Sequence, residues 1–146
     1  MAYKNRNQRF LDFFLVGPLG KRSHEVCALV DTGSVISCIS KNEYDKLVKQ
    51  GYSFSVRNSD NLKVGSCVGG ANQTCGLAKL KLYFPNIIDI YFVLEVLIVP
   101  ELAQKFILGD DFFTNEAIIM LTKDFVHVKV SRSQILSIAF KHVPML

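Results

Sequence analysis

The stretch Cys27-Ala28-Leu29-Val30-Asp31-Thr32-Gly33-Ser34 carries a carboxylate to the end of an apolar run and then turns. A run of buried β residues does not absorb a lone charge without a cost of several kcal/mol. Asp31 is therefore expected solvated in a cleft, paired, or partly protonated. Thr32 brings a hydroxyl that can hydrogen-bond inward, Gly33 permits a tight turn and close backbone approach, and Ser34 sets a second hydroxyl beside the carboxylate. The apolar run resumes at once as Val35-Ile36-Ser37-Cys38-Ile39-Ser40, so the charged turn interrupts extended structure rather than a polar loop.

Working outward, residues 10–16 are aromatic and aliphatic around Asp12, and Gly17-Pro18-Leu19-Gly20 supplies a turn before 25–30. Together they read as a hairpin that delivers Asp31. Downstream, Ser40-Lys41-Asn42-Glu43 has the form of a capping box, Tyr44, Leu47 and Val48 follow at helical spacing, and Gly51 suits the C′ position. The spacing predicts a helix over 41–50. Extended structure is expected at 52–56 and 62–68, around the turn cluster Asn58-Ser59-Asp60-Asn61, with Gly69-Gly70 and Asn72 at a hairpin tip. The return strand, 75–83, sets Leu77, Lys79, Lys81 and Tyr83 opposite Ala78, Leu80 and Leu82, one face wet and one dry. Pro85-Asn86 breaks the chain, 87–99 reads as one long strand, and 106–108 as a short buried one. Asp110 or Asp111 is expected to cap a brief helix after Gly109, followed by strands at 117–121 and 125–130. Residues 131–146 carry no single pattern.

The chain's 146 residues suffice for one core but are short for two. We read 1–146 as a single domain with a core of about 10–130, residues 1–9 and 131–146 being flanking or interface tails. The net charge is only +4, with the basic residues gathered near the two ends, which reads as solvated surface rather than a nucleic-acid face. Cys27, Cys38, Cys67 and Cys75 lack zinc-site spacing and are too few for a disulfide scaffold, so reduced, mostly buried thiols are expected. Cys67 and Cys75 flank Ala71 almost symmetrically, but two unpaired thiols are preferred to a clasp. His24, His127 and His142 are scattered, no metal or cofactor is expected, and the histidines read as surface or satisfied groups. Residues 2–9 lack the apolar segment of a signal peptide, and the most apolar run, 90–99, contains Glu95 and is too short to cross a bilayer. The expectation is a protein of the cytoplasm or of a virus-like particle, with neither membrane nor nucleic acid as partner.

The segment ending Asp31-Thr32-Gly33-Ser34 resembles the active-site loop of the aspartic proteases. Downstream, Phe106-Ile107-Leu108-Gly109-Asp110-Asp111-Phe112-Phe113 is similar to the apolar-apolar-Gly segment and short helix of retropepsin-like proteases. Val68-Gly69-Gly70-Ala71 lies between them, where that family carries its glycine-rich flap. The likeness spans about residues 10–130 with its three elements in order. It departs from the retroviral pattern at Asp110, where those enzymes usually carry Arg, and Leu108-Gly109-Asp110-Asp111-Phe112 is closer to LTR-retrotransposon enzymes.

The resemblance implies a mainly β, closed-barrel fold with a flap hairpin and one or two short helices, acting as a homodimer. No second Asp-Thr/Ser-Gly follows, so a second copy must supply the other half of the catalytic pair. Asp31, Thr32, Gly33 and Ser34 are then the catalytic loop, with the Thr32 hydroxyls bridging the two copies. Val68, Gly69, Gly70 and Ala71 would cover an extended peptide or polyprotein substrate, while Ile107, Leu108 and Gly109 form the floor beneath. The Ser34 hydroxyl is expected to bond the carboxylate, favouring its ionised form and an acidic pH optimum. The function implied is an aspartic endopeptidase processing a retroelement or retrovirus-like polyprotein. The rival reading is a domesticated dimerisation or peptide-binding module with little or no proteolysis.

Overall fold

The computed structural model describes residues 7–17, 22–58, 76–87 and 90–144. The first strand, β1 (Asn7–Val16), alternates as its sequence demands: Leu11, Phe13 and Leu15 are buried, while Asp12, Phe14 and Val16 are half-buried. It pairs antiparallel with β2 (Arg22–Val30), Asp12 lying opposite Cys27. There follow β3 (Cys38–Ser40), α1 (Lys41–Lys49), β4 (Val56–Arg57), β5 (Leu77–Tyr83), β6 (Phe92–Val99) and β7 (Phe106–Leu108). After the one-turn helix α2 (Asp110–Phe113) come β8 (Ile118–Leu121), β9 (Phe125–Ser131), β10 (Gln134–Ala139) and β11 (Lys141–Pro144).

The main sheet runs β11-β1-β2-β7-β3-β6-β5-β4, and a further β1–β5 pairing, Phe14 with Tyr83 and Leu15 with Leu82, closes it into a barrel. Closure removes the unpaired edges that β1 and β5 would otherwise present there. Strands β2 and β7 pair in parallel, as do β3 and β6, while β3 and β7 are antiparallel. The aromatic side chains fill the interior, Phe13 with its ring 4.7 Å from Phe84 and 5.5 Å from Phe112, and Phe92 with its ring 5.1 Å from Phe112. A second apolar cluster of Cys38, Leu77, Leu97, Val99 and Ile107 covers another face. Strands β3 and β7 are consequently buried throughout, which explains the wholly apolar Phe106-Ile107-Leu108 of β7. A separate three-stranded sheet, β10-β9-β8, packs Val126 and Val128 onto the main core.

The strands expected at 75–83, 106–108, 117–121 and 125–130 correspond to β5, β7, β8 and β9, with β5 starting at Leu77 and β8 at Ile118. The capping box is half formed: Ser40 Oγ accepts from the Glu43 amide at 3.1 Å, but the Ser40 amide donates to the Lys105 carbonyl. A tertiary partner thus replaces the reciprocal bond, and the Glu43 carboxylate lies 3.7 Å from His24. Gly51 has φ of 99°, as a C′ glycine should. Of the strand expected over 87–99, β6 takes Phe92–Val99, while Ile87 closes a turn at Pro85 and Asn86 by donating its amide to the Phe84 carbonyl and Ile90 and Tyr91 lie outside the strand. Residues 134–144, unpatterned in sequence, form β10 and β11. The latter pairs with the start of β1, and Lys141 Nζ lies 3.0 Å from Asp12 Oδ1. The thiols also differ from expectation: Cys27 is exposed, and the fully buried Cys38 is disulfide-bonded. Residues 68–71, Cys67, Cys75 and the strand expected at 62–68 lie outside the described residues.

Candidate active site

Strand β2 ends at Val30, and the next residue turns out of the barrel. Asp31 keeps its amide in the fold by donating to the Leu108 carbonyl at 2.9 Å, while the residue itself is exposed. Its Oδ1 accepts the Gly33 amide at 3.1 Å, and its carbonyl accepts the Ser34 amide at 3.0 Å. The turn is therefore closed by the carboxylate and backbone of the same residue. A Cβ on Gly33 would stand 3.3 Å from that Oδ1, so the glycine keeps the carboxylate uncrowded. Thr32 is exposed at the tip rather than turned inward.

Ser34 departs from its expected role. It is fully buried, and its hydroxyl donates to the Ile36 carbonyl at 2.9 Å. A hydroxyl has one proton, and a carbonyl can only accept it, so Ser34 has none to offer Asp31. The side chain holds the outgoing limb of the loop instead of tuning the carboxylate. Val35, next in sequence, is 66% exposed.

The loop is fastened to the β7–α2 junction by several hydrogen bonds. Besides the bond to Leu108, the Asp110 amide donates to the Ser34 carbonyl at 2.7 Å, and the Gly109 amide donates to Ser37 Oγ at 2.8 Å. Ser37, fully buried, donates its hydroxyl to Asp111 Oδ1 at 2.6 Å and its amide to both carboxylate oxygens at 3.1 and 3.0 Å. The Phe112 amide also reaches Asp111 Oδ1, at 3.0 Å. Neither Asp110 nor Asp111 caps α2 as expected: the N-cap is Gly109. The carboxylate of Asp111 is taken by the loop across from it. Nothing in a lone serine at 37 and an acid at 111 marks this pair, because the signal lies in their spatial rather than sequential proximity.

Gly109 is required by contact rather than by backbone angle. A Cβ there would lie 2.7 Å from the Ser34 carbonyl oxygen and 3.0 Å from the Ile36 carbonyl carbon, both backbone atoms. Ile107 and Leu108 are buried, so they support the loop from beneath. A cavity of about 510 Å³ bordered by His24, Glu43, Lys46, Lys49 and Lys105 touches β2 no nearer to Asp31 than Cys27. Four residues of strand, roughly 13 Å, separate that point from the carboxylate.

Two solved structures share this arrangement of strands. The retroviral protease-like domain of Ddi1 from Leishmania major aligns over 93% of this chain and 95% of its own, with a TM-score of 0.59 and 15% identity. EIAV protease complexed with the inhibitor HBY-793 aligns over 84% of this chain and 100% of its own, with a TM-score of 0.52 and 16% identity. The fold is retropepsin-like. By sequence, no protein-family model and no curated protein matches the chain.

The sequence holds one Asp-Thr-Gly, at residues 31–33. Among the described residues, no group of three or more His, Cys, Asp or Glu side chains is placed to hold a metal ion, and no helix is long and apolar enough to cross a membrane. His127 has a ring nitrogen 2.7 Å from Ser137 Oγ, and His142 lies 3.2 Å from Asp124, so both histidines have partners. What distinguishes the loop chemically is an exposed carboxylate on a backbone held rigid from below.

Proposed function

We propose that the chain is an aspartic endopeptidase that works as a pair of identical copies, cleaving a retroelement or retrovirus-like polyprotein in the cytoplasm or in a particle assembled there. The observation that carries this reading is Asp31 itself: an exposed acid on a loop that hydrogen bonds fasten to the fold behind it. Two such carboxylates brought within about 3 Å of one another share a single proton. The ionised member takes a proton from a water, and the water oxygen attacks the amide carbon of the bound peptide. The protonated member gives its proton to the carbonyl oxygen. Collapse of the tetrahedral intermediate then breaks the C–N bond: the carboxyl that took the water's proton gives it to the leaving nitrogen, and the other takes back a hydroxyl proton as the carbonyl reforms. No metal or cofactor enters this scheme.

The substrate in this reading is an extended peptide held by main-chain hydrogen bonds, between the loop and residues 68–71. In this reading Thr32, exposed at the tip, meets its counterpart in the other copy. The second reading is a peptide-binding or dimerisation module without proteolysis, which would use the same barrel with no chemistry at Asp31. Incubation of the purified chain with a peptide library from acidic to neutral pH, with pepstatin and Asp31→Asn as controls, separates the two. Cleavage abolished by either control supports the endopeptidase. Peptide binding without Asp31-dependent cleavage supports the module.

A further inference from the structure

Between the outgoing limb of the Asp31 loop and the strands β4 to β6 lies a groove of about 390 Å³. Its apolar wall is made by Ile36, Leu77, Val93 and Leu94, and its charged groups are Arg57, Glu95 and Asp111. Counting charges alone, two carboxylates against one guanidinium, the groove would suit a cationic side chain. The hydrogen bonds point the other way. Asp111 accepts from the Ser37 amide, the Ser37 hydroxyl and the Phe112 amide. Glu95 is held in a two-pronged pair, Oε2 by Arg57 Nε at 2.7 Å and Oε1 by Nη2 at 3.0 Å. The hydrogen bond from Arg57 holds the Glu95 carboxyl below its usual range, with partial desolvation opposing, and Lys79, its cross-strand neighbour, adds a smaller attraction. Arg57 offsets the charge of Glu95 and three donors converge on Asp111 Oδ1, so an incoming ammonium group meets a weakened pull, while an aliphatic group meets four apolar side chains.

We propose that Arg57 determines specificity: by engaging Glu95 it keeps this groove receptive to an uncharged aliphatic side chain of a peptide lying across the Asp31 loop. The inference rests on the peptide-binding reading above, which both the endopeptidase and the module share. In an extended peptide alternate side chains face the same way, so the groove reads one position and leaves its neighbours unread.

The test uses the full chain with Asp31→Asn, so that labelled peptides are bound without being cut. Fluorescence anisotropy compares peptides differing only by Val or Lys at each position in turn, for the parent, for Arg57→Met, and for Arg57→Met combined with Glu95→Gln. The parent is expected to prefer Val at one position. Arg57→Met should move the Val-to-Lys ratio toward Lys at that position alone, by roughly 3- to 10-fold, the remaining attraction of Lys79 limiting the change. The double variant should restore the preference for Val. An unchanged ratio at every position, with peptides still bound and circular dichroism unaltered, overturns the role of Arg57 and leaves the peptide reading standing. Absence of measurable binding by any peptide overturns both.

Discussion

The loop at 31–34 and the first turn of α2 are hydrogen-bonded to one another, yet they treat their carboxylates oppositely. Asp111 is surrounded by donors from Ser37 and Phe112. Asp31 accepts only the amide of its own turn among the described residues, and it is exposed. The difference teaches how a fold keeps one acid available: the structural demands of the turn are met by a second acid placed behind it. Asp111 and Ser37 fix the backbone, which leaves the oxygens of Asp31 for a ligand, a proton or a partner.

If that division holds, exchanging Asp31 for Asn should lower peptide cleavage on the order of 100- to 10,000-fold. It should leave the urea unfolding midpoint nearly unchanged, since exposed substitutions of this kind alter stability by about 0.5 kcal/mol or less. Asp111→Ala should do the reverse in emphasis. It strands the buried Ser37 hydroxyl and amide, and should cost about 2–4 kcal/mol in denaturant unfolding, with activity falling as the loop loses its backing. Equal unfolding of the two variants would erase the contrast.

Gly109→Ala sharpens the same comparison from the backbone side. The added methyl meets the Ser34 and Ile36 main chain, so a loss of about 1–3 kcal/mol is expected by thermal or urea unfolding. Ser34→Ala removes a buried bond to the Ile36 carbonyl and should cost about 1 kcal/mol. Its pH–rate profile should overlay that of the parent, because the hydroxyl proton is directed away from Asp31. A displaced profile would return Ser34 to the role its sequence position suggested.

The smallest effect concerns a thiol away from the loop. Partial desolvation, and then the facing Asp12, push the Cys27 thiol up, so its thiolate forms at higher pH than in an unstructured peptide. Site-resolved alkylation by iodoacetamide should therefore set in at higher pH for Cys27 than for a reference peptide. Asp12→Asn should bring the onset part of the way back.

The elements that were legible in the sequence are those whose signal is local. The alternation in β5, the Ser40 cap and the apolar 106–108 each follow from neighbours along the chain. The close approach at Gly109 was legible too, because an apolar-apolar-Gly segment resembled a known floor beneath an Asp-Thr-Gly loop. What escaped was set by partners distant in sequence. The Ser37–Asp111 bond joins residues separated by 74 positions. Ser40 exchanges its reciprocal cap for Lys105, and the hydroxyl of Ser34 turns toward a carbonyl that only the folded limb places there. The pairing of β11 with β1 was invisible for the same reason, since short edge strands carry too few residues to fix a register. Residues 68–71 lie outside the described residues, so their role as a cover stays part of the proposal.

The central claim is that one chain holds half of a reaction centre. Its most direct test measures peptide cleavage by a fixed amount of parent chain while Asp31→Asn chain is added in increasing excess. Mixed pairs would each carry a single catalytic acid, so the rate should fall toward zero as the variant captures parent copies, and the rate of the parent alone should rise faster than linearly with its concentration. A rate strictly proportional to parent concentration and indifferent to the added variant would contradict the account.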